Sequence, residues 1–291
     1  MRSRWAKYWY LGPALVVLLV TITYPLGSAL VTSFREWQLN ESPTPGPFVG
    51  LENYQRVLSD SGFWNSAGVT VLYSVMSVSL TMVIALGIAL VLQGPGKFKA
   101  FAKTMLIFPY AVAPALKGFS WRFMLNDNYG IYDTIIDTVL PFASGIVWLG
   151  EPFWALLSIA FSEVWGWAPL IALMFIGALG SIDPEIQEAA RVDGATGIQA
   201  FFRITLPLLA PVLLVAMLLK TIWSLKLIDQ VVTMTGGGPG RSTETLNFFV
   251  YRQGFSFLDM GYASALAWIS VLGIAVFTVF YVRVMRRQGS I

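Results

Sequence analysis

The sequence predicts an all-α integral membrane protein with six transmembrane helices, and three observations carry that prediction. Of its 291 residues, 56% are hydrophobic and only 12% are charged, whereas a soluble domain carries about 25% charged residues. Six separate stretches stay apolar over the length a helix needs to cross a hydrocarbon core, about 20 residues. Lysine and arginine gather in alternate connections between those stretches, the bias that marks a cytoplasmic side.

The first stretch, roughly 11–33, follows the basic residues Arg2, Arg4 and Lys7, as the apolar core of a secretory signal does. Its apolar run continues through Tyr24 and Pro25 to Phe34 without a small-residue cleavage pattern, so it reads as an uncleaved first span. The connection 34–65 turns at Pro43, Pro45 and Pro47 and then spaces Leu51, Tyr54, Val57 and Leu58 along one helix face. That pattern predicts a short amphipathic helix on the outer surface. The second span, 66–92, contains no charged residue, and the remaining spans fall at about 104–125, 153–179, 207–228 and 262–284.

With the N-terminus inside, Lys97, Lys99, Lys103, Arg191, Arg203, Arg283, Arg286 and Arg287 join the three N-terminal cations on the cytoplasmic side. Arg35, Arg56, Arg241 and Arg252 are left outside, so both termini are expected to be cytoplasmic. The net charge of +3 reflects this loop bias. No basic cluster interleaved with aromatics supports a nucleic-acid partner. The absence of cysteine and histidine removes thiolate and imidazole chemistry and the commonest metal ligands. No strand-like alternation, low-complexity tract or internal repeat stands out, and the whole chain 1–291 is expected to form one transmembrane domain.

The cytoplasmic connection 181–207 is longer than a connector requires. Asp183 can cap a helix opening at Pro184, with Glu185 in its positive first turn, and Ile186, Ala189, Ala190 and Val192 fit one amphipathic turn after another. Gly194 supplies a left-handed stop or a close backbone approach. A second short helix, Gly197–Arg203, leads to the fifth span at Pro207. A helix resting on anionic lipid would be basic. Here Asp183, Glu185, Glu188 and Asp193 stand against Arg191 and Arg203, which favours a docking surface for a cytoplasmic protein.

The spacing Glu188-Ala189-Ala190, Gly194, Ile204, Leu206-Pro207 resembles the complete EAA motif of ATP-binding-cassette importer permeases. Gly50-Leu51-Glu52-Asn53-Tyr54 is similar to an external element of the carbohydrate branch of that family. Pro109–Val112 and Thr235–Pro239 resemble the maltose-permease and glycerol-phosphate-permease side of the branch. The likeness spans essentially the whole chain, without the large external domain of the enteric maltose permease. It implies a type I (MetI-like) transmembrane domain in a bacterial inner membrane. Its implied partners are a second homologous permease, an ATPase dimer that holds ATP and magnesium, and an external solute-binding protein. It implies no cofactor on this chain, and it makes Glu188, Ala189, Ala190, Asp193 and Gly194 the residues that couple to the ATPase.

The run Thr235–Ser242 superficially matches a phosphate-binding P-loop. The first glycine of that pattern would fall at Thr235, Arg241 replaces its lysine, and the segment is expected outside. It reads as an external turn.

Charged residues within spans default to functional roles. Lys117 and Lys220 lie deepest, Arg122 and Lys226 near external ends, and Glu163 is the sole acid. Pairing with Glu163 and contact with an anionic solute both remain open for the two deep lysines. Matching by motif to the maltose permease implies sugar contacts at Tyr110, Trp165, Trp167, Lys220, Trp223, Ser224 and Leu227, to which the charge argument adds Lys117. A single tryptophan in a membrane chain is more often packing or a belt residue than a ligand, but three converging on a lysine suit a sugar ring. The lysine excess favours a solute bearing phosphate, sulfonate or carboxylate over a neutral oligosaccharide. An ion-coupled secondary transporter would show a repeat with paired midplane acids, and an intramembrane enzyme would need an acid pair within the spans. Neither pattern is present.

Overall fold

The computed structural model describes residues 6–139 and 145–287. Arg2 and Arg4, used above for orientation, lie outside the described residues, as do the side chains of Lys7, Arg286 and Arg287. Every named element is helical, and only two isolated β-bridges occur among the described residues. In chain order the helices are α1 (Ala6–Leu18), α2 (Tyr24–Ser33), α3 (Glu52–Ser59), α4 (Ser61–Leu92), α5 (Lys97–Met105), α6 (Ile107–Ala111) and α7 (Pro114–Met124). They continue with α8 (Ile131–Val139), α9 (Pro152–Gly180), α10 (Pro184–Val192), α11 (Gly197–Ala200), α12 (Leu206–Leu225), α13 (Leu246–Tyr251) and α14 (Met260–Arg287). A π-helical turn, Leu19–Thr23, joins α1 to α2, and another, Phe201–Thr205, joins α11 to α12.

Among the described residues, five continuous helical stretches are long and apolar enough to cross a membrane: Tyr10–Ser33, Ser61–Leu92, Pro152–Gly180, Gly197–Leu225 and Met260–Arg283. They coincide with five of the six expected spans. The remaining stretch, 104–125, is not one helix. It is divided among the end of α5, α6 and α7, and Val112 and Ala113 have extended backbone (ψ 128° and 136°). Pro114 explains the break, since the residue before a proline is pushed out of the helical region and proline has no N–H to donate back. The fifth span differs in the opposite sense. It does not open at Pro207 but runs unbroken from Gly197, and the π turn ahead of Pro207 gives the backbone the altered register that a proline inside a helix demands.

The chain parts into two compact units, 1–64 with 249–273, and 65–248 with 274–291. In the first, the expected outer helix forms as α3, but it buries Val57 and Asn53 and leaves Leu51 and Leu58 exposed. Asn53 Nδ2 donates to the carbonyls of Ser33 (3.0 Å) and Arg35 (2.9 Å), so a side chain caps the ragged exit of α2. Arg56 pairs with Asp259 at 2.6 Å and lies 4.1 Å from the centre of the Tyr262 ring, whose hydroxyl donates to Asp60.

In the second unit, α9 is the central post. Val164, Ala168, Ile171, Ala172, Phe175 and Leu179 pack with Val78, Met82, Ala85 and Ala89 of α4 and with Leu209 and Ala216 of α12. Lipid tails are as apolar as leucine, so close approach at small residues, rather than the hydrophobic effect, holds such helices together. On α4 the large residues Val71, Leu72, Val75 and Val83 are exposed.

Candidate functional site

A cavity of about 340 Å³ opens beside the break in the third span. Its wall is built from Tyr110 to Pro114, from Lys117, and from Glu163, Gly166 and Trp167 on α9; Trp223, Lys226, Leu227, Asp229 and Gln230 close the far side. Irregular backbone at membrane depth is tolerated where it lines a cavity, and Val112 and Ala113 do so here. Three aromatic rings form a contiguous surface. Tyr110 meets Trp167 edge-on at 5.4 Å, and Trp167 meets Trp223 at 5.4 Å with the rings tilted by 46°. Such a surface offers flat apolar faces with polar edges, which suits the C–H faces of a sugar ring.

Next to the rings lies a buried charge cluster. Glu163 Oε1 accepts from Lys117 Nζ at 2.8 Å and from Gln230 Nε2 at 2.5 Å, and its Oε2 accepts from Lys220 Nζ at 3.2 Å. One carboxylate is thereby held by three donors on three segments: α7, α12 and the turn after it. An unpaired charge at this depth would cost several kcal/mol, so the cluster is self-consistent only when all its members are present. Two cations and one anion leave a net charge of about +1 at the cavity wall. Lys220 Nζ also sits 5.5 Å from the Trp167 ring centre, and Lys226 Nζ 5.4 Å from that of Trp223.

At the other end of α9 the capping expected at 183–194 takes a definite form. Asp183 Oδ1 accepts from the backbone N–H of Glu185 at 3.0 Å. The helix closes through Ala195 N–H to Ala190 O (2.9 Å) and Gly194 N–H to Arg191 O (3.1 Å), with Gly194 at φ +76°. This paired closure requires a left-handed residue at the position Gly194 occupies. Two residues later Thr196 and Gln199 form a reciprocal capping box that starts α11. One helix therefore ends and the next begins within a few residues, each sealed by its own side chains. Glu188, Ala189, Asp193 and Gly194 are exposed, Ala190 is buried, and the apolar Val192 is 88% exposed.

Of the residues expected at a solute site, Tyr110, Lys117, Trp167, Trp223 and Leu227 line the one cavity. Lys220 and Ser224 do not reach it: Lys220 is fully buried behind Trp167, and the Ser224 hydroxyl donates to the Lys220 carbonyl at 2.8 Å. Trp165, two residues from Trp167, points roughly 200° away around α9, is 40% exposed and does not line the cavity. Both deep lysines pair with Glu163, so pairing and cavity lining are combined in Lys117 and separated in Lys220. The sequence reading missed Gln230, Gly166 and Asp229. Pro114 was the available signal for the break, whereas nothing local marks Gln230 as a partner of an acid 67 positions away. No cluster of ligands able to hold a metal occurs among the described residues.

Residues 82–290 match the family described as binding-protein-dependent transport system inner membrane component. The sulfoquinovosyl glycerol transport system permease protein SmoG of Agrobacterium fabrum is 36% identical over 96% of this chain and 89% of its own length. The trehalose/maltose transport system permease protein MalF of Thermococcus litoralis is 36% identical over 98% of this chain and 96% of its own. Among solved structures, a chain of a bacterial alginate ABC transporter in complex with a periplasmic protein bound to an alginate pentasaccharide superposes with a TM-score of 0.81. It covers 98% of this chain and 95% of the matched one at 18% identity, a likeness of fold alone.

Proposed function

The chain belongs to the family of binding-protein-dependent transport system inner membrane components, and from that premise we propose that it forms the solute pathway of an ATP-binding-cassette importer for an acidic carbohydrate or carbohydrate-like solute. As a member of this family it is a multi-pass, non-catalytic subunit of the inner membrane, and ATP is hydrolysed by a separate chain.

The observation that carries the solute reading is the joining of three aromatic rings to a net-positive cluster in one cavity. Aromatic faces take the ring of a sugar, and an unbalanced ammonium takes a sulfonate, phosphate or carboxylate on it. The relative named for sulfoquinovosyl glycerol, a sulfonated sugar, supports this class. A neutral disaccharide is the second reading. It is favoured by the pairing of both lysines with Glu163, which quenches part of their charge, and by the relative named for trehalose and maltose.

In this reading the pieces α5 to α7 complete a sixth crossing, both termini face the cytoplasm, and all of 1–291 serves as one permease transmembrane domain. A second permease completes the pore, an ATPase dimer binds ATP and magnesium, and a solute-binding protein delivers from outside. The exposed face of α10 around Glu188, Ala189 and Asp193, with the turn at Gly194 and Ala190 packed beneath, receives the movement of the ATPase. A short helix sealed at both ends transmits displacement as a unit. Closure of the ATPase turns the cavity outward, and hydrolysis returns it inward.

The test is uptake by the complete transporter in liposomes loaded with ATP, given sulfoquinovosyl glycerol or trehalose with the cognate binding protein. The reading expects ATP-dependent accumulation, a preference for the acidic sugar, and loss of both activities in Trp167→Ala. Accumulation driven by an ion gradient without ATP would overturn it.

A further inference from the structure

The cluster around Glu163 contains one more lysine than an ion pair needs, and the two lysines are not equivalent. Lys117 lines the cavity, while Lys220 is completely buried behind the Trp167 ring and cannot touch a solute. If Lys117 and Glu163 stood alone, an anion approaching the ammonium would also meet the carboxylate and gain little. Lys220 occupies the second carboxylate oxygen at 3.2 Å and cancels that charge from the far side. Gln230 donates to the same oxygen as Lys117 and keeps the carboxylate from swinging towards the cavity. Gly166 leaves the space beside the ammonium open, because a Cβ there would lie 2.9 Å from Lys117 Nζ. At the rim, Lys226 and Asp229 carry opposite charges and contribute no net sign.

We propose that Lys117 is the residue that selects an acidic solute, that Glu163 positions it, and that Lys220 balances Glu163 so that Lys117 stays attractive to an anion. The proposal rests on the reading of the cavity as the solute pathway, and it assigns separate roles to residues that a net-charge argument would treat alike.

Two double variants carry the same net charge but keep different lysines. In Lys220→Met/Glu163→Gln the remaining cation is Lys117; in Lys117→Met/Glu163→Gln it is Lys220. Initial uptake rates of sulfoquinovosyl glycerol and trehalose by the reconstituted complete transporter give KM and maximal rate for each. The first double variant keeps the wild-type preference for the acidic sugar. The second loses it by about tenfold, the worth of one charge-assisted hydrogen bond, through a KM that rises for the acidic sugar by that factor more than for trehalose. Lys117→Arg retains the preference.

Gly166→Ala leaves every charge in place and displaces the ammonium, so it raises KM for the acidic sugar more than for trehalose and remains informative where a double variant fails to assemble. Equal loss in both double variants, retention in the one without Lys117, or equal effects of Gly166→Ala on both sugars would overturn the assignment. A wild-type transporter that takes up trehalose in preference to the acidic sugar sinks the underlying solute reading before any variant is made.

Discussion

The turn around Gly194 and the wall around Glu163 both bring acids and bases together, in opposite surroundings. At the turn, Glu188, Asp193 and Arg191 stand exposed on a helix that is held by backbone and capping bonds to its own neighbours. Among the described residues none of these three side chains forms a salt bridge, and all three face solvent. At the wall, Glu163, Lys117 and Lys220 are buried and are themselves the fastening between α9, α7 and α12. A charge on the surface of a short helix is met by water and leaves the fold unchanged, and a charge between membrane helices is part of the fold.

The sharpest way to break that contrast is to delete the buried acid. Glu163→Ala strands two buried ammonium groups, and removing one partner from a buried ion cluster costs about 3–5 kcal/mol. Thermal unfolding of the purified complex should show a large loss, and Glu163→Gln, which keeps the hydrogen-bonding shape, a smaller one. Glu188→Lys probes the other side. Stability should change by no more than about 0.5 kcal/mol, as for surface sites generally, while the ATPase fails to copurify and uptake stops. A folded, ATPase-bound but transport-inactive variant would contradict the docking role.

Gly194→Ala is intermediate, since a non-glycine residue in the left-handed region costs about 1–2 kcal/mol. Faster amide exchange confined to the end of α10 and weakened coupling of hydrolysis to uptake are the expected signs; an unchanged exchange pattern would refute the strain. The smallest effect belongs to Trp165→Leu. It should leave uptake close to wild type where Trp167→Leu reduces it severely, and equal losses would show that the cavity is wrongly drawn.

The same contrast explains what could be read from the sequence. Five spans were legible because a bilayer demands an unbroken apolar run, a property of consecutive residues. The turn at 183–194 was legible because caps are local: Asp183, Pro184 and Gly194 act on backbone groups a few positions away, whereas the equally local capping box of Thr196 and Gln199 went unread. The wall was legible only in part. That Lys117, Lys220 and Glu163 would matter follows from their depth, but how they divide the work depends on which helix faces bring them together. Trp165 and Trp167 show the limit plainly, as two identical residues that a turn of roughly 200° sends to different surroundings. The break at Val112 and Ala113 had a signal in Pro114, which hydropathy alone passes over because both residues are apolar.

The measurement that bears most directly on the central claim is affinity purification of this chain, gently solubilised from its native membrane, with mass spectrometry of its companions. A second permease subunit and an ATPase dimer should accompany it, and in Glu188→Lys the ATPase should be lost or weakened while the second permease is retained and the chain itself stays folded. A chain that carries solute across a membrane with no ATPase bound would contradict the account.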